Sequence, residues 1–414
     1  MKKHLLTYLV CMVAALPAWA AGKSGDIPDG TCLPIPPYKE AFNKHGLQVW
    51  QDDIFKTFLQ PNKGRFYYEM PAGWSPIGAE STRQEKGKTC VQFPPHQSAT
   101  FVNTAHFVSA TLQVEGVHFP VRAVWRNTLS DTQVKEYLDV IRNGFEQVSS
   151  IYPYGVPNSM LGEHTVMITA GIITDEKAPT RNLYPNVGPN ASYIYHWPGA
   201  RMEELLYHAV AHLYNRFRYM YSYRPVAPTL NYVEYQECLA SWVESRYVRS
   251  DMDRWKRAMH ILHIHEGVVL PEVKMGKEVG MFRKLNDMSG PLPINLVRHR
   301  PPHMHVKKEY AHYILAPLLL MGAEGLLIEG GKDVRMEDVL RDVHTNKYGT
   351  NLYGVLGMYL SEDQMRTYRR WEDGLEVIPR KYIYAALKRY DTGKDPVDYT
   401  RVDDLMPKYI APNR

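Results

Sequence analysis

The sequence lacks several features that mark large classes of proteins. Beyond its first twenty residues, no stretch approaches the ~20 consecutive apolar residues that a membrane-spanning helix needs. It contains no internal repeat, no low-complexity segment, and neither a glycine-rich phosphate-binding loop nor a dinucleotide-binding fingerprint. These absences argue against a membrane-spanning protein, a repeat protein and a nucleotide-dependent enzyme, and the length predicts a globular chain of more than one domain.

A strong net charge of either sign is also absent, since the formal charge is +5. The first residues, MKKHLLTYLVCMVAALPAWAAG, have the form of a secretory signal with two lysines, a short apolar run and small residues before Ala21. Cleavage after residue 20 removes the two lysines and no acids, and the remaining charge of +3 is too weak to indicate nucleic-acid binding. We expect a secreted or periplasmic protein; the alternative, a membrane anchor, is disfavoured by the shortness of the run.

Cysteine is scarce, with four residues in the chain. Removal of the signal takes Cys11 and leaves Cys32, Cys90 and Cys238. In an oxidising compartment we expect a disulfide between Cys32 and Cys90, which leaves Cys238 as a reduced cysteine. Closing a loop of this length stabilises a protein by about 4 kcal/mol in the chain-entropy model.

The amino-acid composition and the hydrophobic pattern change near Ser130. Residues 22–128 are rich in glycine, proline and β-forming residues, which predicts a mainly β domain. Ser130 and Gln133 have the spacing of a capping box and open a helix that should run to about Ser149. Short strands follow in HTVMITAGII and SYIYHW, and beyond them helices dominate. The predicted fold class is α+β, a mainly β N-terminal domain before a mostly helical domain with a small sheet.

The predicted organisation has four parts: a signal peptide, a β-rich domain, a mostly helical domain, and a C-terminal helix with a tail. Their boundaries are 1–20, 21–128, 129–375 and 376–414. Within the third part, apolar periodicity predicts helices from about residue 232 to 249, 251 to 265, 306 to 329 and 362 to 374. The last of these opens with a capping box at Ser361 and Gln364.

The segment EELLYHAVAHLYNRF places His208 and His212 four residues apart on a predicted amphipathic helix. Side chains at this spacing lie on the same helix face, so the two imidazoles can share one zinc ion. About 0.7 such pairs are expected by chance at this composition, so two ordinary core histidines are the alternative. The segments around residues 260–265 and 299–305 are also rich in histidine and are expected to be solvated faces.

A second pair at the same spacing is His299 and His303. Pro301 and Pro302 lie between these histidines and break a helix there, so the pair cannot be presented on one helix face. His208 and His212 therefore remain the candidate metal ligands.

A tetrahedral catalytic zinc takes a third protein ligand, and the next predicted helix, NYVEYQECLASWVES, offers three glutamates. Glu234 has the N3 position of a capping arrangement and is expected to be engaged with the helix start. Glu244 lies near the helix end and is expected to be solvated or to support a ligand. Glu237 precedes a small apolar run suited to helix packing and is the best candidate, 25 residues after His212.

A strand, a helix with two histidines four apart and a second helix with ECLA together resemble the gluzincin metallopeptidases of the peptidase MA clan. The resemblance covers about residues 140–375 and implies a gluzincin-like peptidase domain in which His208, His212 and Glu237 bind zinc. Cys238 stands where the family often has glycine. The alternative enzyme class is a cysteine peptidase with Cys238 as its nucleophile, but no cysteine-peptidase signature surrounds this residue.

Ala209 occupies the position at which the family's HExxH motif carries its glutamate. That glutamate acts as general base, and its loss typically costs roughly 10² to 10⁴ in rate. We expect little or no peptide hydrolysis by this chain. Two explanations of Ala209 remain. The protein is a natural pseudopeptidase that binds peptides or proteins, or it is a peptidase whose general base has been replaced.

The segment EYAHYILAPLLLMGAEGLL resembles the family's downstream helix, whose tyrosine stabilises the tetrahedral intermediate. Tyr310 fits that position best, Tyr313 is the alternative, and a core tyrosine is equally compatible. The sequence lacks the Gly-x-Met-Glu-Asn motif of the aminopeptidase branch, which disfavours an exopeptidase. The expected partner is a peptide or protein, cut internally or bound along SYIYHW by strand addition, and not a nucleic acid.

Overall fold

In a computed structural model of the chain, the described residues form two compact units. The first comprises Met1–Ser150 with Gly155–Phe217, and the second comprises Ile151–Tyr154 with Arg218–Arg414. The described residues are 28–35, 49–51, 55–58, 66–93, 99–151, 163–168, 191–194, 206–214, 232–246, 250–274, 311–345, 352–372 and 376–406. The predicted signal peptide lies outside them, and the predicted boundary at residue 128 falls within the first unit and stays a prediction.

The predicted fold class is confirmed: a β-rich region is followed by a mostly helical one. The described strands form three four-stranded sheets, all in the first unit. The strands are β1 Cys32–Leu33, β2 Val49–Gln51, β3 Phe55–Phe58, β4 Tyr67–Glu69, β5 Trp74–Ile77, β6 Ser81–Glu85, β7 Lys88–Gln92, β8 Ala99–Asn103, β9 Phe107–Leu112, β10 Val121–Arg126, β11 His164–Ile168 and β12 Ala191–Ile194.

A disulfide and an aromatic cluster stabilise the N-terminal sheets. These sheets have the strand orders β1-β4-β7-β6 and β2-β3-β8-β5. Cys32 of β1 is bonded to Cys90 of β7, with their Cα atoms 5.8 Å apart, which confirms the predicted disulfide. The rings of Phe93 and Phe101 pack edge to face with centroids 5.3 Å apart, a favourable aromatic geometry.

The third sheet, in the order β12-β11-β10-β9, carries the first helix, α1, Asp131–Ser149. Strands β10, β11 and β12 are parallel, and β9 pairs antiparallel with β10. Parallel neighbours need a crossover connection, and α1 supplies it between β10 and β11. The predicted capping box is confirmed, because the Ser130 side chain accepts from the backbone of Gln133 and the Gln133 side chain accepts from the Ser130 amide.

The described helices after β12 are numbered in chain order, and all but α2 belong to the second unit. They are α2 at residues 206–214, α3 Tyr232–Arg246, α4 Asp251–Lys274, a π-helical turn Ala311–Leu315, α5 Ala316–Glu329, α6 Met336–His344, α7 Leu352–Tyr359, α8 Glu362–Glu372, α9 Arg380–Tyr390 and a 3-10 turn Val402–Leu405. None of these described helices is long and apolar enough to cross a membrane.

Two of the predicted helices differ from the structure. Helix α4 continues to Lys274, beyond the predicted end near residue 265. Of the predicted helix at 306–329 the structure describes residues 311–329, which form a π-helical turn joined to α5. Pro317 lies in the first turn of α5 and has no amide to donate to the carbonyl of Tyr313. The capping box at Ser361 and Gln364 is confirmed at the start of α8.

Helix α5 forms the centre of the second unit, since all its residues from Ala316 to Leu327 are buried. It packs against α3, α6, α8 and α9. A Cβ atom on Gly325 would lie 2.5 Å from the carbonyl oxygen of Tyr382 in α9. Glycine is therefore required where these two helices cross, because a side chain there would meet backbone atoms.

Candidate metal centre

The histidine pair predicted from the sequence lies on one face of α2, in the first unit. The Nε2 atoms of His208 and His212 are 2.8 Å apart, and the ring centroids are separated by 4.6 Å. His208 is 1% exposed, whereas His212 is half-buried. The pair therefore has one imidazole inside the unit and one at its border.

Apolar packing fixes the position of α2. Leu206, Tyr207, Val210 and Leu213 are all buried. Helix α1 approaches α2 closely at Gly144, where an added Cβ would lie 2.9 Å from Leu206 Cδ2. The residues just before His208 are thus held against α1, and the sequence did not indicate this contact.

The geometry of the pair suits a shared ligand. A hydrogen bond between two Nε2 atoms requires one neutral ring to donate and the other to accept. Imidazole nitrogen is also a preferred zinc ligand at 2.0–2.1 Å, and two nitrogens on one tetrahedral ion lie about 3.3 Å apart. Since the observed separation of the His208 and His212 nitrogens is 2.8 Å, a small rotation of either ring would suffice. The donor atoms fit zinc.

Ala209 follows the buried histidine directly and is itself 2% exposed. A methyl group neither accepts nor donates a proton, so residue 209 contributes no acid or base to the pair. The helical register places its side chain one residue away from His208, beside the ligand pair rather than between the two rings.

The third predicted ligand, Glu237, lies in α3 of the second unit, and its side chain falls outside the described residues. Within the described part of the chain, no group of three or more histidine, cysteine, aspartate or glutamate side chains could hold a metal. The three-residue ligand set therefore stays a prediction. Glu244 of the same helix is buried, and its carboxylate pairs with Arg257 at 2.5 Å.

The two tyrosines predicted for oxyanion stabilisation have different outcomes. Tyr310 lies outside the described residues. Tyr313 belongs to the π-helical turn before α5 and is 6% exposed, so it contributes to the core of the second unit. The side chain of Cys238 also falls outside the described part of the structure.

His265, which the sequence placed on a solvated face, is fully buried. Its Nε2 accepts a hydrogen bond from the Ile378 amide at 3.4 Å. Burial lowers the pKa of His265 to about 4, because the charged imidazolium is disfavoured away from water. His265 is thus a neutral core histidine.

The second unit also contains a buried ionic network that was not predicted from the sequence. The Glu324 carboxylate is 0% exposed and accepts hydrogen bonds from the Met336 amide at 2.5 Å and Arg389 Nη1 at 3.1 Å. Arg246 donates to Glu337 at 2.8 Å. Burial, followed by repulsion from Glu337, raises the pKa of Glu324 to about 7. Its only signal in the sequence was a single acid inside the apolar run LLLMGAEGLL.

No family model and no curated protein matches the sequence. Among solved structures, an M1 zinc metallopeptidase from Deinococcus radiodurans is similar at 14% identity, with a TM-score of 0.41 and coverage of 80% of this chain and 72% of that chain. An aminopeptidase N family protein from Idiomarina loihiensis is similar at 10% identity, with a TM-score of 0.44 and coverage of 86% and 61%. The structural neighbours are therefore M1 zinc metallopeptidases at low sequence identity.

Proposed function

We propose that the chain is a secreted or periplasmic zinc protein with an endopeptidase scaffold, in which His208, His212 and Glu237 are the ligands. The observation that carries this proposal is the approach of the two Nε2 atoms to 2.8 Å on one helix face. The ECLA segment that contains Glu237 supports it from the sequence side. All three ligand atoms belong to residues other than Ala209, so the replacement at position 209 removes no metal ligand.

His208, His212 and Glu237 would hold the zinc ion, and the ion would supply Lewis acidity toward a peptide carbonyl and a water molecule. The chain must provide everything else: ligands, a proton acceptor and a donor for the developing oxyanion. His208 and His212 have the donor atoms, and Tyr310 or Tyr313 is the proposed oxyanion donor. With 6% of its surface exposed, Tyr313 offers little to solvent, so we favour Tyr310 for this role.

The proton acceptor is the missing part. Ala209 stands where a glutamate would take the proton from water and pass it to the leaving amine. The loss of such a group lowers the rate by roughly 10² to 10⁴, while the ligand atoms are unaffected. We therefore propose that this chain binds zinc but hydrolyses peptides slowly or not at all.

The second candidate function is a natural pseudopeptidase that binds a peptide or protein. Ala209 favours it, and so does the position of β12, which lies at one edge of its sheet as far as the structure describes it. An edge strand presents unpaired backbone groups to which an extended chain can add as a further strand. This candidate requires the scaffold and the edge but no catalysis.

The experiment is to restore the carboxylate with Ala209→Glu and assay cleavage of a mixed peptide library, with and without chelator. The matched control is Ala209→Gln, which has nearly the same shape but cannot exchange a proton at neutral pH. Position 209 is buried, so a larger side chain there can disturb packing. Circular dichroism and zinc content must therefore first show that both variants are folded and bind zinc as the original chain does.

If only the Ala209→Glu variant cleaves peptides, and chelator stops the cleavage, the original chain is a peptidase scaffold that lacks its general base. If the Ala209→Glu protein is folded and binds zinc yet cuts nothing, the binding function is favoured. Cleavage by the original chain would mean that another residue acts as base, and the role given to position 209 would be wrong.

A further inference from the structure

A cationic depression lies on the second unit where the end of α5 and the turn after it meet α9. Its volume is about 420 Å³. Lys332, Lys388 and Arg389 line it together with one acid, Asp333, while Ile328 and Ala385 contribute apolar surface. The excess of positive side chains makes the depression attractive to an anion, and none of the predicted zinc ligands belongs to it.

The guanidinium of Arg389 is held in one orientation by groups beneath it. Its Nη1 lies 3.1 Å from Oε1 of Glu324 and 2.9 Å from the carbonyl oxygen of Val334. Glu324 is completely buried, so this side of the guanidinium is fixed within the protein. A planar guanidinium held in this way presents its remaining donors in a fixed direction, which suits recognition of a carboxylate or phosphate.

The other side of the guanidinium is occupied by a replaceable group. Nη2 of Arg389 lies 3.0 Å from Oδ1 of Asp333, whose side chain is fully exposed. An ion pair with an exposed side chain contributes little to stability, because the side chain loses conformational entropy when it is ordered. Water or a competing anion can therefore replace the Asp333 carboxylate. The Asp333 carboxylate thus occupies a position beside Nη2 that the carboxylate of a ligand could take.

Two flexible cations flank this position. Lys332 follows the turn that ends α5, and Lys388 precedes Arg389 in α9; both are exposed. The Lys388 ammonium lies 4.8 Å from the centroid of the Tyr399 ring, a cation–π contact that keeps it near the end of α9. The exposed Lys332 side chain can turn toward an anion with little rearrangement, whereas the Lys388 ammonium has to leave the Tyr399 ring to reach it.

We propose that this depression binds a small oxyanion, a carboxylate or a phosphate-type group, through Arg389, Lys332 and Lys388, with Asp333 as an internal competitor. The site is independent of the proposed zinc centre, and a failure of either proposal leaves the other standing. Ile328 and Ala385 can accommodate a short apolar part of the ligand.

The test is equilibrium dialysis of the full chain against radiolabelled sulfate and, separately, labelled succinate, at constant ionic strength. We expect one saturable site with a dissociation constant on the order of millimolar for at least one anion. Tighter sulfate binding identifies a phosphate-type ligand, and tighter succinate binding identifies a carboxylate. The double variant Lys332→Ala with Lys388→Ala should weaken binding by about tenfold, the effect of two exposed ion pairs.

Asp333→Asn should act in the opposite direction and strengthen binding several-fold, because it removes the competing carboxylate without changing the shape of the side chain. Lys394→Ala is the matched control: this lysine is exposed and does not line the depression, so the affinity should not change. The proposal is overturned if neither anion saturates, if the double lysine variant binds as the original chain does, or if Asp333→Asn does not strengthen binding.

Discussion

His208 and His212 lie one helical turn apart, with their Nε2 atoms separated by 2.8 Å and the first ring buried. Two imidazoles pointing at each other so closely must either share a proton or share a cation. The alternative, two ordinary core histidines like the buried His265, predicts that the pair binds no metal. Metal analysis distinguishes the two.

Purified mature protein should contain about one zinc ion per chain, and His212→Ala should lose most of it. Loss of a residue that hydrogen-bonds to a metal ligand typically weakens metal binding by ~10–100-fold. Loss of a ligand itself, as in His212→Ala, should weaken zinc binding by more than this. Elemental analysis after dialysis against a metal buffer measures this. His118→Ala is the control, because His118 is an exposed histidine of the same unit. Equal zinc content in all three proteins, or none in any, would end the metal interpretation.

Loss of the Cys32–Cys90 disulfide should destabilise the N-terminal sheets. The bond links residues 58 positions apart, and in the chain-entropy model a cross-link of this loop size raises the free energy of the unfolded state by about 4 kcal/mol. Urea unfolding of the double variant Cys32→Ala with Cys90→Ala should show this loss as a lower midpoint. The single variant Cys238→Ala is the control, since Cys238 is predicted to be reduced. A disulfide between Cys90 and Cys238 in peptide mapping would contradict the pairing.

The elements that could be predicted from the sequence are those fixed by local chemistry. The capping box at Ser130, the histidine spacing on α2 and the cysteine pairing each depend on a few residues or on a count. What could not be predicted depends on distant partners. Arg246 and Glu337 pair across 91 positions.

Local rules also failed where two of them competed. The apolar run before Glu329 predicts one long helix, but Pro317 within it cannot donate a helical hydrogen bond, and the described residues just before α5 form a π-helical turn. Glu324 lies in the same run, where an acid contradicts the pattern of a buried face. Its partner Arg389 lies 65 positions away in another helix, so the conflict is visible in the sequence but the ion pair that resolves it is not.

The stability of the second unit should depend on pH through Glu324. Its pKa is raised from 4.5 to about 7, so folding favours the protonated form; this contribution is full below pH 4.5 and is lost as the pH rises to about 7. The shift corresponds to about 3 kcal/mol. Glu324→Gln, which stays neutral, should remove this fall.

Urea unfolding of the original chain and of Glu324→Gln between pH 4.5 and 8 measures the difference. Glu362→Gln serves as the control, because Glu362 is exposed at the start of α8 and should leave the pH dependence unchanged. Parallel stability curves for the original chain and Glu324→Gln would show that the Glu324 carboxyl does not titrate between these pH values.

The packing of α1 against α2 should influence the histidine pair. At Gly144 an added Cβ would lie 2.9 Å from Leu206 Cδ2 and 3.1 Å from Tyr207 Cδ1, and these two residues directly precede His208. Gly144→Ala should therefore push on α2, with a cost of about 1–3 kcal/mol for overpacking that exceeds the ~1 kcal/mol gained from better helix propensity. If the contact positions His208, zinc affinity should fall as well as stability.

The matched control is Gly357→Ala in α7, where an added Cβ would meet no atom of the described structure within 4 Å. The same exchange there should stabilise the protein by about 0.5–1 kcal/mol, because only the propensity gain remains. Thermal unfolding and zinc titration of the two variants separate the effects. A Gly144→Ala protein as stable as Gly357→Ala would mean that α1 and α2 have room to adjust. Reduced stability with unchanged zinc affinity would mean that the contact supports the fold but does not set the position of His208.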